Sequence, residues 1–208
     1  MQAVELKQAL EELRKEKKRK FSQTVELIVN LRSVDLRKDN IAILASIPNK
    51  VKDKKVCGFF EKKNPLISTI TKAEFQKYSE KNALRKIVDE FDFFIANAKL
   101  MPSVASTFGK ALGPAGKMPS PQLGIIPEER DDLIKPLLER ISKSVKMRAK
   151  EASIKVPIGN ESMKDEEIIA NIKAVHAAVI SSLPKKEENV KNTLIKFTMS
   201  KPIAVEVK

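Results

Sequence analysis

Among its 208 residues the chain has one cysteine, Cys57, one histidine, His176, one tyrosine, Tyr78, and no tryptophan. A single thiol cannot close an internal disulfide, and it leaves no thiolate cluster for structural zinc or an iron–sulfur centre. Such cysteine usage predicts a reducing, cytoplasmic setting. One imidazole cannot build a multi-histidine metal site, and a His-centred hydrolytic triad would have to use His176 itself. Catalysis, a resident metal and a cofactor are therefore not expected. No run of roughly 18 apolar residues occurs, and the first twenty residues are amphipathic and charged, so neither membrane spanning nor signal-led secretion is expected. Stacking on bases would have to come from phenylalanine, which fills nine positions.

What the chain has in excess is positive charge. Forty Lys+Arg against 27 Asp+Glu give a formal net charge of +13, which favours a polyanionic partner. The excess is spread evenly: +5 in residues 1–52, +4 in 53–144 and +4 in 145–208. Charge alone does not localise a site. The densest block, Arg14 to Lys20, also reads as a solvated helix end whose cations complement the dipole. A hydrophobic content of 42% is enough for a core, and the length allows one large domain or two small ones.

Periodicity divides the chain further. Val4, Leu6, Leu10 and Leu13 keep near-helical spacing among charges over residues 3–20. From Thr24 to Leu31 the period is two, with Val25, Leu27, Val29 and Leu31 on one side and Thr24, Glu26 and Asn30 on the other, apart from the exception Ile28. Ile41, Ile43, Ala45 and Ile47 repeat the alternation, which predicts a second strand after the polar connection 35–40. The polar stretch 49–55 predicts a domain junction. Beyond it, Val56 to Phe60 and Phe91 to Ala96 read as buried strands flanking a helical region from Thr71 to about Glu90, a pattern for an α/β domain with parallel pairing. Residues 145–158 return to alternation, Ser162 to Asp165 opens a helix that Pro184 stops, and 193–199 and 203–207 close the chain as strands. The predicted fold is mixed α/β and α+β: residues 1–52 and 145–208 form a terminal domain, interrupted by an inserted domain at 53–144.

Four of the six glycines lie between 109 and 124. Gly109 to Pro119 tempts a phosphate-loop reading, and an α/β nucleotide- or small-molecule-binding enzyme centred there is the alternative function. The Walker pattern fails, because Ala111 stands where its first Gly belongs and Met118 where its Ser/Thr belongs; a shaped surface loop is the plainer expectation. The acidic pairs Glu128-Glu129, Asp131-Asp132 and Glu166-Glu167 sit near predicted helix starts, where carboxylates favour the dipole. Composition alone makes Met199 core filling at a strand end.

Four segments shift these weights. Leu112-Gly113-Pro114-Ala115-Gly116-Lys117-Met118-Pro119 resembles the LGPRGKMP signature of the large-subunit ribosomal protein one family, the L-one protein of the mobile ribosomal stalk. In the same order, Lys20-Phe21-Ser22-Gln23-Thr24-Val25-Glu26 is similar to the family's K-F-x-x-T/S-V/F-E strand opening, Ile158 to Met163 to its V-G-x-x-x-M, and Thr198-Met199-Ser200 to its T-M-G turn. Phe91 to Ala96 and Leu100-Met101-Pro102 look most like archaeal members. The resemblance implies a terminal domain with a split βαβ core built from both chain ends, and an inserted three-layer α/β domain. It implies a noncatalytic protein, monomeric when free, that binds large-subunit rRNA, forms the stalk near the tRNA exit site, assists release of deacylated tRNA and represses translation of its own mRNA. The implied RNA site is Lys20, Phe21, Thr24, Glu26, Thr198, Met199 and Ser200, with Lys18, Arg19, Lys150, Lys196 and Lys201 on phosphates. In that site Thr198 hydrogen-bonds RNA while Met199 and Phe21 pack and exclude water. Two departures stand out. Ser200 replaces a glycine and is expected to restrict positive φ and close backbone approach, and Ala115 removes an arginine from the signature.

Overall fold

In the computed structural model, which describes all residues except 1–2, 16–18, 35–40, 79, 150 and 208, the elements follow the changes of period. In chain order they are β1 (Val4–Glu5), α1 (Leu6–Lys15), β2 (Thr24–Leu31), β3 (Ala42–Ser46), β4 (Val56–Phe60), β5 (Ser68–Thr71), α2 (Lys81–Glu90), β6 (Phe93–Asn97) and α3 (Met101–Ala115). Then come β7 (Ile125–Ile126), α4 (Asp131–Ser142), β8 (Ser144–Arg148), β9 (Ser153–Asn160), α5 (Asp165–Ser182), β10 (Val190–Phe197) and β11 (Ile203–Glu206). The chain divides into one unit of Met1–Lys52 with Lys143–Lys208 and another of Asp53–Ser142.

The first unit carries a five-stranded sheet in the order β1-β11-β10-β2-β9. Strand β2 is antiparallel to both β9 and β10, and α5 connects those two, so β9-α5-β10 is a βαβ unit split by a strand from the other chain end. Strict alternation along β2 places Val25, Leu27, Val29 and Leu31 in the core with Leu10 and Leu13 of α1 and Ile168, Ile172, Val175 and Val179 of α5. Both helices therefore cover one face, and a second, smaller sheet pairs β3 with β8. Although successive in sequence, β2 and β3 lie in separate sheets. The stretch 145–158, a single alternating run in sequence, is two strands, β8 and β9, that belong to different sheets. Asn171 of α5 is fully buried and satisfied: it donates to the carbonyls of Ile158 and Asn49 and accepts from the Asn49 amide.

In the second unit a parallel sheet runs β5-β4-β6-β7. Cys57, Phe59, Phe94 and Ala96 pack with Phe75, Ile87, Val104, Phe108 and Leu112 on one side. Phe60 and Ile95 have the opposite parity and are buried too, so the sheet is covered on both faces, as three layers require. Burial, reinforced by the charge of Glu90, pushes the Cys57 thiol up to about 12, which keeps it a protonated apolar filler. The region predicted as one helix from Thr71 to Glu90 is broken into a 3₁₀ segment, Lys72–Tyr78, and α2. At its start the Glu74 carboxylate accepts from both the amide and the hydroxyl of Thr71.

Candidate nucleic-acid interface

The face of β2 turned away from the helices carries Thr24, Glu26, Ile28 and Asn30, all half-buried. Register aligns Glu26 with Lys196 of β10 and Pro157 of β9, Ile28 with Leu194 and Lys155, and Asn30 with Asn192 and Ser153. The Asn30 amide donates to Asn192 Oδ1 at 2.7 Å. Among the described residues, Glu26 and Lys196 take part in no ion pair or side-chain hydrogen bond, which leaves a carboxylate and an ammonium side by side on an open sheet surface.

At one end of this surface β10 passes into the turn Thr198–Ser200, and every amide of the turn is held. Thr198 N–H donates to the Thr24 carbonyl at 3.1 Å, Ser200 N–H to the Phe197 carbonyl at 3.0 Å, and Met199 N–H to Gln23 Oε1 at 3.2 Å. The Thr198 hydroxyl accepts from Thr24 N–H at 3.1 Å and donates to the Thr24 carbonyl at 3.3 Å. Its proton is thus engaged with the opening of β2, and what it offers a ligand is a remaining acceptor lone pair. Ser200 answers the expectation about glycine. Positive φ among described non-glycine residues occurs only at Ser33 and Lys186, so this turn does not use the left-handed region. The Ser200 Oγ instead accepts from Phe197 N–H at 2.8 Å and tightens the turn.

A frame of polar contacts surrounds the turn. Gln23 N–H donates to the Glu161 carboxylate at 3.1 Å, and Glu161 N–H donates to the Gln23 carbonyl at 2.8 Å. Arg14, at the end of α1, donates to the Glu161 carbonyl at 3.0 Å, to the Met163 carbonyl at 2.8 Å and to Asp165 Oδ1 at 2.8 Å. Its geometry is that of the planar guanidinium fork, which a lysine does not reproduce. Gly159 has its own packing reason, since a Cβ there would lie 3.0 Å from Ile168 Cγ1 where β9 runs under α5.

The sequence-predicted residues fall into three groups. Thr24, Glu26, Lys196, Thr198, Met199 and Ser200 are brought together by strand register and the turn bonds. Arg19, Lys20, Phe21 and Lys201 are exposed on the segments leading into β2 and out of the turn. Lys18 and Lys150 lie outside the described residues. Met199 is not core filling: it is 58% exposed, and Phe21 is 52% exposed, unusual for large apolar side chains. Sequence reasoning missed Gln23, Glu161 and Arg14. A signal for Gln23 was present, because period two puts it on the same inward parity as Val25, Leu27, Val29 and Leu31.

Comparison with known proteins supplies the decisive observation. A family model described as the ribosomal protein L1p/L10e family matches residues 13–201. The chain belongs to that family. It is 37% identical over 211 residues to the large ribosomal subunit protein uL1 of Pyrobaculum islandicum, covering 96% of this chain and 92% of that one. To the proteins of the same name from Thermococcus kodakarensis and Methanothermococcus thermolithotrophicus it is 34% and 33% identical over 209 residues each, covering 91% of this chain and 91% and 92% of theirs. These relatives are named as ribosomal proteins and not as enzymes, and the likeness to archaeal members expected from the sequence is found in them.

For this L1p/L10e member the signature at 112–119 is a helix stop and not a phosphate cradle. Helix α3 continues through Gly109, Gly113 and Pro114 to Ala115, and Gly116 ends it at φ 71°. The amides of Gly116 and Lys117 return to the carbonyls of Gly113 and Leu112, both at 3.0 Å, the paired bonds of a Schellman ending. A Cβ at Gly109 or Gly113 would meet nothing within 4 Å, so neither glycine is there for close approach. Lys117 Nζ is committed as well, donating to the carbonyls of Val88 at 2.6 Å and Phe91 at 2.9 Å, where it caps α2. Of the acidic pairs, Asp131-Asp132 and Glu166-Glu167 do occupy first turns of helices. Glu129 departs from that expectation: its carboxylate accepts from the amides of Glu61 and Lys62 and from Asn97 Nδ2. Among the described residues no group of acidic, Cys and His side chains could hold a metal, and no helix is long and apolar enough to cross a membrane.

Proposed function

We propose that the chain is a structural protein of the large ribosomal subunit and binds large-subunit rRNA through the unit formed by residues 1–52 and 145–208. The observation that carries this reading is the exposure of two large apolar side chains, Met199 in a turn whose every amide is already held and Phe21 on the segment leading into β2. Such a platform is rigid and apolar where it meets its ligand, and it is flanked by Glu26 and Lys196 as polar readers. Folded RNA offers the matching chemistry: ribose faces and bases for Phe21 and Met199, a 2′-hydroxyl to donate to Thr198, and exocyclic amino groups or 2′-hydroxyls for Glu26. Lys18, Arg19, Lys20, Lys150, Lys196 and Lys201 supply the phosphate attraction, and the protein reads mainly shape. On this reading the protein works in the ribosome, in the mobile stalk near the tRNA exit site, where it assists release of deacylated tRNA. It also represses its own mRNA through an rRNA-like site and is monomeric when free. What supports these finer roles is the likeness of the four sequence segments to the family.

Salt dependence tests the division of labour. For binding to a large-subunit rRNA junction, Arg19→Gln and Lys20→Gln should each reduce the slope of log K against log salt by about 1. A slope unchanged in both variants contradicts phosphate contacts on the segment leading into β2.

A further inference from the structure

We infer that Gln23 is a positioning residue of the RNA site: its side-chain oxygen holds the Met199 amide and so presents the Met199 side chain to RNA. The inference rests on the rRNA-binding reading above and deepens it. Of the three amides in the Thr198–Ser200 turn, two are held by backbone carbonyls, of Thr24 and Phe197. Only that of Met199 depends on a side chain, Gln23 Oε1 at 3.2 Å. Gln23 is itself 5% exposed, although its parity on β2 is the apolar one. A glutamine is kept at an inward position that an aliphatic residue would fill more cheaply unless its oxygen is needed.

The backbone of Gln23 is held as well. Its amide and carbonyl are both bonded to Glu161, at 3.1 and 2.8 Å, and Glu161 is held by Arg14 through its carbonyl. A line of hydrogen bonds therefore runs from the end of α1 through β9's exit to the turn after β10. Met199, at its end, is more than half exposed, so the direction of its side chain follows largely from its backbone. With the acceptor gone, the amide turns to water, the turn gains freedom, and ordering it again on RNA subtracts from affinity.

The test uses the full chain and Gln23→Met, which keeps the length and removes the acceptor. Amide exchange of Met199, measured in the protein without RNA, should accelerate at least about tenfold in Gln23→Met, the signature of a locally opened bond. Gln23→Glu, which keeps an oxygen at the same reach, should restore slow exchange. Affinity for a large-subunit rRNA junction fragment should fall roughly 3- to 10-fold in Gln23→Met, and Met199→Ala should cost less affinity in that background than in the wild type, because coupled residues are not additive. Should Gln23→Met fail to fold, Gln23→Leu carries the same comparison. Unchanged Met199 exchange, or full additivity with Met199→Ala, overturns the inference. A wild-type protein that does not bind the fragment overturns the rRNA reading instead, and the exchange measurement still decides whether Gln23 holds the turn.

Discussion

Truncating Phe21 or Met199 should separate binding from folding, because both are large apolar side chains with about half of their surface exposed. Full burial of such a side chain contributes about 1.5–3 kcal/mol. Phe21 is 52% and Met199 58% exposed, so about half of that remains to be realised on a ligand. Phe21→Ala and Met199→Ala should therefore each weaken rRNA binding by about 0.8–1.5 kcal/mol, roughly 4- to 12-fold, since 1.4 kcal/mol is a factor of ten. Folding stability should fall by no more than about 1.5 kcal/mol, the half of that contribution already realised in the fold. Leu27→Ala is the contrast. That residue is fully buried, and its truncation should cost about 2–5 kcal/mol of stability. Binding can be followed by anisotropy of a labelled rRNA fragment, a label being necessary because the chain has no tryptophan, and stability by urea unfolding. Calorimetry adds a check, since losing apolar burial makes the heat-capacity change of binding less negative. Unchanged affinity in both variants refutes the apolar platform. So does a stability loss above about 2 kcal/mol, which would mean the side chains belong to the core.

Two further perturbations address the frame and the fold. Arg14→Ala removes the donors to the Glu161 and Met163 carbonyls and to Asp165, and should lower unfolding stability by about 1–3 kcal/mol. Arg14→Lys should recover little of it, and full recovery in urea titrations would contradict the fork geometry. His176 faces the β10 residue Thr193, 3.3 Å away; burial pushes its imidazole below the usual range, against an opposing pull from Glu187. The unfolded chain therefore takes up this proton first, so the contribution to stability is present above pH 6.5 and is lost as pH falls below it. Unfolding measured at neutral and mildly acid pH should show a weaker pH dependence in His176→Gln, and identical dependences would contradict the assignment.

Much of the fold is written in local periods. Strand β2 alternates apart from Ile28, which still lets its span be read directly, and α5 keeps helical spacing until Leu183 and Pro184. Pairing is less legible, because a strand's partners depend on segments more than a hundred residues away. Nothing in residues 24–47 shows that β2 and β3 enter different sheets, or that β2 is enclosed by β9 and β10. The glycines at 109–116 mislead for a different reason. Gly109 and Gly113 sit in a helix at no close approach, and only Gly116 uses its conformational freedom. At the site, motif likeness pointed to Phe21, Thr24, Glu26 and Thr198–Ser200. It could not show that the Thr198 hydroxyl is already bonded to Thr24, nor that Gln23, Glu161 and Arg14 support the turn, since those links join segments about 140 to 175 residues apart.

The central claim is recognition of a folded large-subunit rRNA site by shape, with charge as the grip. Its most direct test is competition: a labelled large-subunit rRNA junction bound to the full chain, challenged with unlabelled junction or with bulk tRNA at physiological salt. The account predicts that the junction competes at concentrations at least about a thousandfold lower than tRNA, the low end of specific over non-specific binding seen with nucleic acids. Equal competition by the two RNAs would contradict it and leave a basic protein that binds polyanions without selection.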